Sequence, residues 1–117
     1  SAGLPSPAAD YEEGKLELTR HLIQNPPATF FVRVTGDSMV GAGIHSGDLL
    51  VVDRSLEPKN NNVIIAALDG ELTVKRIRIR AGKIMLVPEN DNYAAQKVEG
   101  EMEFEVWGVV TNVIHQL

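Results

Sequence analysis

The chain has 117 residues, 44% of them hydrophobic, which suits one compact domain with a core of its own. A net charge of −5, from 16 acidic and 11 basic residues, argues against tight autonomous binding to nucleic acid, which normally needs a basic face, so a DNA role would run through a protein partner. No apolar run approaches the ~18–20 residues of a membrane span and no signal-peptide core opens the chain; with no cysteine, disulfides and thiolate metal sites are excluded, and a cytoplasmic location is the simplest expectation.

Residues 1–11, "SAGLPSPAADY", carry Pro5 and Pro7 among small residues without a period, and read as a flexible N-terminal arm. Residues 12–117 read as one mostly-β domain with one short helix. That helix is expected between Asp10 and Asn25, because Leu18, Leu22 and Ile23 fall at helical spacing and Pro26-Pro27 stop it. Phe30, Val32 and Val34 then alternate with Phe31, Arg33 and Thr35, the period of a strand. Leu49 to Val52 and Val63 to Leu68 are short runs rich in β-branched residues. Asp69-Gly70 separates "VIIAAL" from "ELTVKRIRI", a hairpin signal because both central turn positions favour positive φ. Lys83 to Val87 and Phe104 to Ile114 supply further strands.

Between the first two strands lies "TGDSMVGAG", in which Ser38 follows Gly36-Asp37 and precedes two more glycines. If Ser38 is a nucleophile it needs a base. His21, His45 and His115 have no spacing that ties them to Ser38 or to a metal-ligand pattern, and read as surface or hydrogen-bonded polar residues. Strand parity singles out a lysine instead. In "ELTVKRIRIR", Thr73, Lys75, Ile77 and Ile79 fall on one side, while Val74, Arg76, Arg78 and Arg80 fall on the other. Lys75 thus shares a row with two isoleucines. Burial there would lower its pKa and let a neutral amine take the serine proton; a lysine snorkelling from a strand end fits the same parity, and both readings stand.

"GDSM" at Gly36 to Met39, "GDLLVVD" at Gly47 to Asp53 and "ELTVKRI" at Glu71 to Ile77 together resemble the self-cleaving LexA/UmuD family of Ser–Lys peptidases, with 37 residues between Ser38 and Lys75 as in that family. "AGLPSPAADY" resembles the cleavage segment of the UmuD branch, and "LIQNPPATFFVRVTGDSM" continues the likeness. The resemblance implies Ser38 as nucleophile, Lys75 as general base, backbone amides of Asp37 and Ser38 as oxyanion donors, and Ala2–Gly3 as the scissile bond, 35 residues before Ser38. It implies no cofactor and no metal. It further implies a processed chain that forms a homodimer, joins a UmuC-like Y-family polymerase subunit for translesion synthesis in the SOS response, and is cleaved under stimulation by the RecA–single-stranded DNA filament. "NNNVIIA" departs from the family's Gly-Asp turn, and residues 80–103 match loosely.

Three alternatives compete: the C-terminal domain of a LexA-like or phage-type repressor, a signal-peptidase-like enzyme, and a non-catalytic module. Arg76, Arg78, Arg80 and Lys83 read as a solvated strand face sooner than a partner stripe. Phe104 and Val106 to Val110, with Trp107, read for the most part as core sooner than a dimer seam. Asp48 and Asp53 are expected to make turn or strand-end hydrogen bonds, and Glu101, Glu103 and Glu105 to face solvent.

Overall fold

Apolar side chains at alternate positions need a sheet to bury them, and the described residues supply seven strands. In the computed structural model, which describes residues 17–117, these are β1 (Thr29–Arg33), β2 (Leu49–Asp53), β3 (Val63–Leu68), β4 (Glu71–Arg80), β5 (Lys83–Val87), β6 (Gln96–Val98) and β7 (Phe104–Ile114). All pairings are antiparallel, in the order β1-β2-β7-β3-β4-β5-β6. The mostly-β expectation is met, with β6 an addition to it. The arm over residues 1–11, with the expected scissile pair Ala2 and Gly3, lies outside the described residues. Of the helix expected between Asp10 and Asn25, the described part is α1 (Leu18–Leu22), followed by a 3-10 turn at Pro26–Ala28 where the prolines end it.

Two apolar clusters form the core. Val34, Met39, Ile44, Leu50, Val52 and Ile65 make the first, with Val74 packed against it. Ile64, Ala66, Ile77, Leu86 and Val109 make the second, joined by Ile79 and Val106. Neighbours on β3 feed different clusters, so both faces of the sheet bury side chains, as the near-continuous apolar run "VIIAAL" requires. On β4 the same alternation gives Val74 to one cluster and Ile77 and Ile79 to the other, and Lys75 shares the parity of the two isoleucines.

Two expectations are corrected. Trp107 is 42% exposed and is no core residue, although Val109 is buried; β7 has to change register against β3 between Ile65 and Ala66, and Trp107 falls at that bulge. Arg76 is not part of a solvated stripe. It is half-buried, paired with Glu89, and donates to the Asn61 carbonyl, while Arg78, Arg80 and Lys83 remain exposed.

The turns explain how the sequence manages without the family's Gly-Asp before β3. Asn61 takes a φ of 76°, Asn62 Oδ1 caps Lys59 N–H at 2.8 Å and Asn60 Oδ1 accepts from Ile79 N–H at 2.8 Å. Short amides tolerate the left-handed region and bond their own backbone, which is the work of a glycine turn. The Asp69-Gly70 hairpin forms as expected, with φ of 49° and 82°. A second tight turn, Ala81-Gly82, places alanine at φ 50°. Alanine is strained there, so Ala81→Asn is expected to stabilise the fold by about 0.5–1 kcal/mol, seen as a higher urea midpoint at unchanged slope.

Candidate active site

The Ser38 turn is anchored at both ends before it presents anything. After β1, Val34 N–H donates to the Asp48 carbonyl and Gly47 N–H returns to the Val34 carbonyl, both at 2.9 Å. Gly36 takes a φ of 87°, which lets the chain reverse without a Cβ clash. Met39 is buried in the first core cluster and pins the turn from the other side. Ser38, between them, is left half-buried.

Its partner arrives from β4. Lys75 Nζ lies 3.0 Å from Ser38 Oγ, 2.9 Å from Thr73 Oγ1 and 3.0 Å from the Val74 carbonyl oxygen. Burial among apolar side chains pushes the Lys75 ammonium below its ordinary value of 10.5. Among the described residues no histidine hydrogen-bonds Ser38; its hydroxyl meets the lysine amine alone. A cleft of about 400 Å³ runs along Lys75, walled by Leu68, Leu72, Thr73, Leu86 and Tyr93. The N–H groups of Asp37 and Ser38, expected as oxyanion donors, donate no hydrogen bond within the described residues. The arrangement therefore offers a hydroxyl, an amine with a depressed pKa, undonated amides and an open groove in one place.

Comparison with known proteins gives the class to which this arrangement belongs. The Peptidase S24-like family model matches residues 1–111, and the chain belongs to that family, one of self-cleaving serine peptidases. It is 49% identical over 115 residues to Protein SamA of Salmonella typhimurium, covering 98% of this chain and 79% of that one. It is 42% identical over 113 residues to Protein MucA of Salmonella typhimurium, covering 96% and 77%. The LexA repressor of Bordetella petrii is 37% identical over 114 residues, but the match spans 50% of that repressor. Within the family the chain is thus a UmuD-like protein of the SOS response.

One constellation escaped the sequence reading. His45 and His115, 70 residues apart, meet with tilted rings, centroids 5.4 Å apart, around buried Asp48, and the three side chains place ligand-type atoms within 4.8 Å of one another. No spacing rule finds such a group, because β2 and β7 must pair before the C-terminal histidine reaches Asp48. The carboxylate is already used: Oδ2 accepts from His45 N–H at 2.7 Å, and Oδ1 meets His115 Nδ1. Asp53 is used in the same way, by Asn25 Nδ2 and by both the N–H and hydroxyl of Ser55. These are the turn and strand-end bonds expected of both aspartates.

The His45 amide, then the His115 hydrogen bond, hold the Asp48 carboxyl below its ordinary value of 3.8 against the opposing effect of burial. A depressed carboxylate contributes stability that is complete above pH 3.8 and is lost as pH falls through the lower folded value. Asp48→Asn is therefore expected to unfold at lower urea than the parent near neutral pH. Urea titrations well below pH 3.8 should show the gap closing.

Proposed function

We propose that Ser38 and Lys75 form a self-cleaving dyad that matures the protein by cutting Ala2–Gly3, and that the product is a homodimeric accessory subunit of an error-prone translesion polymerase. The observation that carries the chemistry is the 3.0 Å contact between Ser38 Oγ and an amine whose pKa burial lowers. A neutral amine has two hydrogens and one lone pair. The Val74 carbonyl can only accept, and Thr73 Oγ1 is placed to accept as well. With both hydrogens engaged, the lone pair is directed at the Ser38 hydroxyl hydrogen.

Lys75 takes that proton as Ser38 Oγ bonds to the Ala2 carbonyl carbon. The carbonyl electrons move onto oxygen, where the Asp37 and Ser38 amides stabilise the charge. As the intermediate collapses, the Ala2–Gly3 C–N bond breaks and the Lys75 ammonium returns its proton to the Gly3 nitrogen. Water, deprotonated by the same amine, then hydrolyses the Ser38 ester, releasing the Ala2 carboxylate and restoring the hydroxyl. A substrate tethered to its own nucleophile has a high effective concentration, so a modest catalyst suffices for a single turnover. Small residues at the cut let the arm lie close in the cleft.

In this reading the RecA–single-stranded DNA filament stimulates cleavage by shifting the arm into the cleft. The processed chain works in the cytoplasm with a UmuC-like Y-family polymerase subunit, which reaches DNA on its behalf. A net charge of −5 fits that division of labour.

The test is a precursor with its natural N-terminal segment, incubated from neutral to alkaline pH with and without RecA filaments and read by intact mass. Cleavage at Ala2–Gly3 is expected to rise with pH, because the neutral Lys75 fraction grows, and to vanish in Ser38→Ala and Lys75→Ala. Cleavage that persists in either variant would remove the dyad from the mechanism. Thr73→Val, which frees one amine hydrogen from its acceptor, is expected to slow the reaction by about ten-fold; single-turnover rates at fixed pH measure it.

A further inference from the structure

We propose that the loop 88–93, which follows β5, is the device that aims the Ser38 oxyanion amide, with Asn90 as its principal positioning residue; this rests on the dyad reading above. A peptide unit is planar, so whatever fixes a carbonyl fixes the N–H of the next residue, which points the opposite way. The loop holds two successive carbonyls of the nucleophile turn. Asn90 Nδ2 donates to the Asp37 carbonyl at 2.9 Å, a shorter bond than the 3.4 Å one that Val40 N–H makes to the same oxygen within the turn, and so sets the plane that contains the Ser38 N–H. Glu89 N–H donates to the Ser38 carbonyl at 2.8 Å and sets the next plane. Tyr93 adds a third tie, its hydroxyl donating to Asp37 Oδ1.

The loop is itself held in register. Gly41 N–H donates to the Glu89 carbonyl at 2.7 Å, and a Cβ on Gly41 would sit 2.7 Å from that same oxygen, so this contact needs glycine. The Glu89 carboxylate pairs with Arg76, the residue next to Lys75 on β4. One loop therefore ties the turn that carries the nucleophile to the strand that carries the base. Asn90 also has its orientation decided by its partners: Oδ1 accepts from Asn92 N–H at 2.9 Å, and the Asp37 carbonyl can be met only by the amide nitrogen.

That double use gives a clean variant. Asn90→Asp keeps an acceptor for Asn92 N–H and removes the donor to Asp37; Asn90→Ala removes both. In the precursor with its natural N-terminal segment, both are expected to cut themselves about 10- to 100-fold more slowly than the parent, less than or at the low end of losing an oxyanion donor outright. The midpoint of the pH–rate profile should stay at the parent value in Asn90→Ala, which adds no charge near Lys75, whereas the new carboxylate of Asn90→Asp favours the ammonium and moves its midpoint to higher pH; thermal melting of Asn90→Asp should stay near the parent. Tyr93→Phe removes one exposed hydroxyl and serves if an Asn90 variant does not fold; it is expected to slow cleavage several-fold at the parent midpoint.

Parental rates in Asn90→Asp or in a folded Tyr93→Phe, while Ser38→Ala is inert, would overturn the role of the loop and leave the dyad standing. In the charge-neutral variants Asn90→Ala and Tyr93→Phe, slowed cleavage with a shifted midpoint would also overturn it, by showing an effect through Lys75. Cleavage in Ser38→Ala itself would instead sink the dyad, and the loop's role with it.

Discussion

The site depends on an amine held where an ammonium is disfavoured. Removing Lys75 from water costs the charged form more than the neutral one, and its burial supplies that cost. The three polar atoms around Nζ keep the cost bounded. A charged amine finds three acceptors, in Ser38 Oγ, Thr73 Oγ1 and the Val74 carbonyl, for its three hydrogens. A neutral amine keeps two of them and turns its lone pair to the serine. One cage thus serves both protonation states, which general acid–base chemistry at a single group requires. A deeper pocket would neutralise the lysine permanently, and a wetter one would leave it charged.

The two halves of the proposed dyad are positioned by different means. Lys75 lies on a ten-residue strand whose pairing to β3 and β5 leaves little freedom. Ser38 lies on a turn, where backbone is ordinarily mobile and rate is sensitive to small displacements. The turn compensates with a buried methionine on one side and backbone bonds to the loop 88–93 on the other. The glycines that made the segment look unusual in the sequence divide between two tasks, a positive φ at Gly36 and a close backbone approach at Gly41.

Strand parity made much of this legible in the sequence. Parity is a local property, so the row that puts Lys75 with Ile77 and Ile79, the alternation of β1 and the Asp69-Gly70 hairpin could all be read without coordinates. The contacts that orient the turn could not. Asn90 and Tyr93 meet Asp37 across 53 and 56 residues, and His115 meets Asp48 across 67. Such pairs exist only after β2, β7 and β5 have taken their places. The same holds for Arg76, which looked solvated because its row carries three arginines, and for Trp107, whose exposure follows from a register change in the pairing of β7 with β3.

Stability and chemistry are kept apart in this fold. Both apolar clusters close without Ser38 or Lys75, and the two buried aspartates bond elsewhere, at the β2 ends and the C-terminal tail. No buried polar side-chain atom among the described residues lacks a partner, so the sheet does not need the dyad to satisfy its interior. On the proposed reading, a protein built this way can be cleaved, retire its dyad and remain folded. That is the condition a maturation device must meet when the product, rather than the reaction, is what the cell uses.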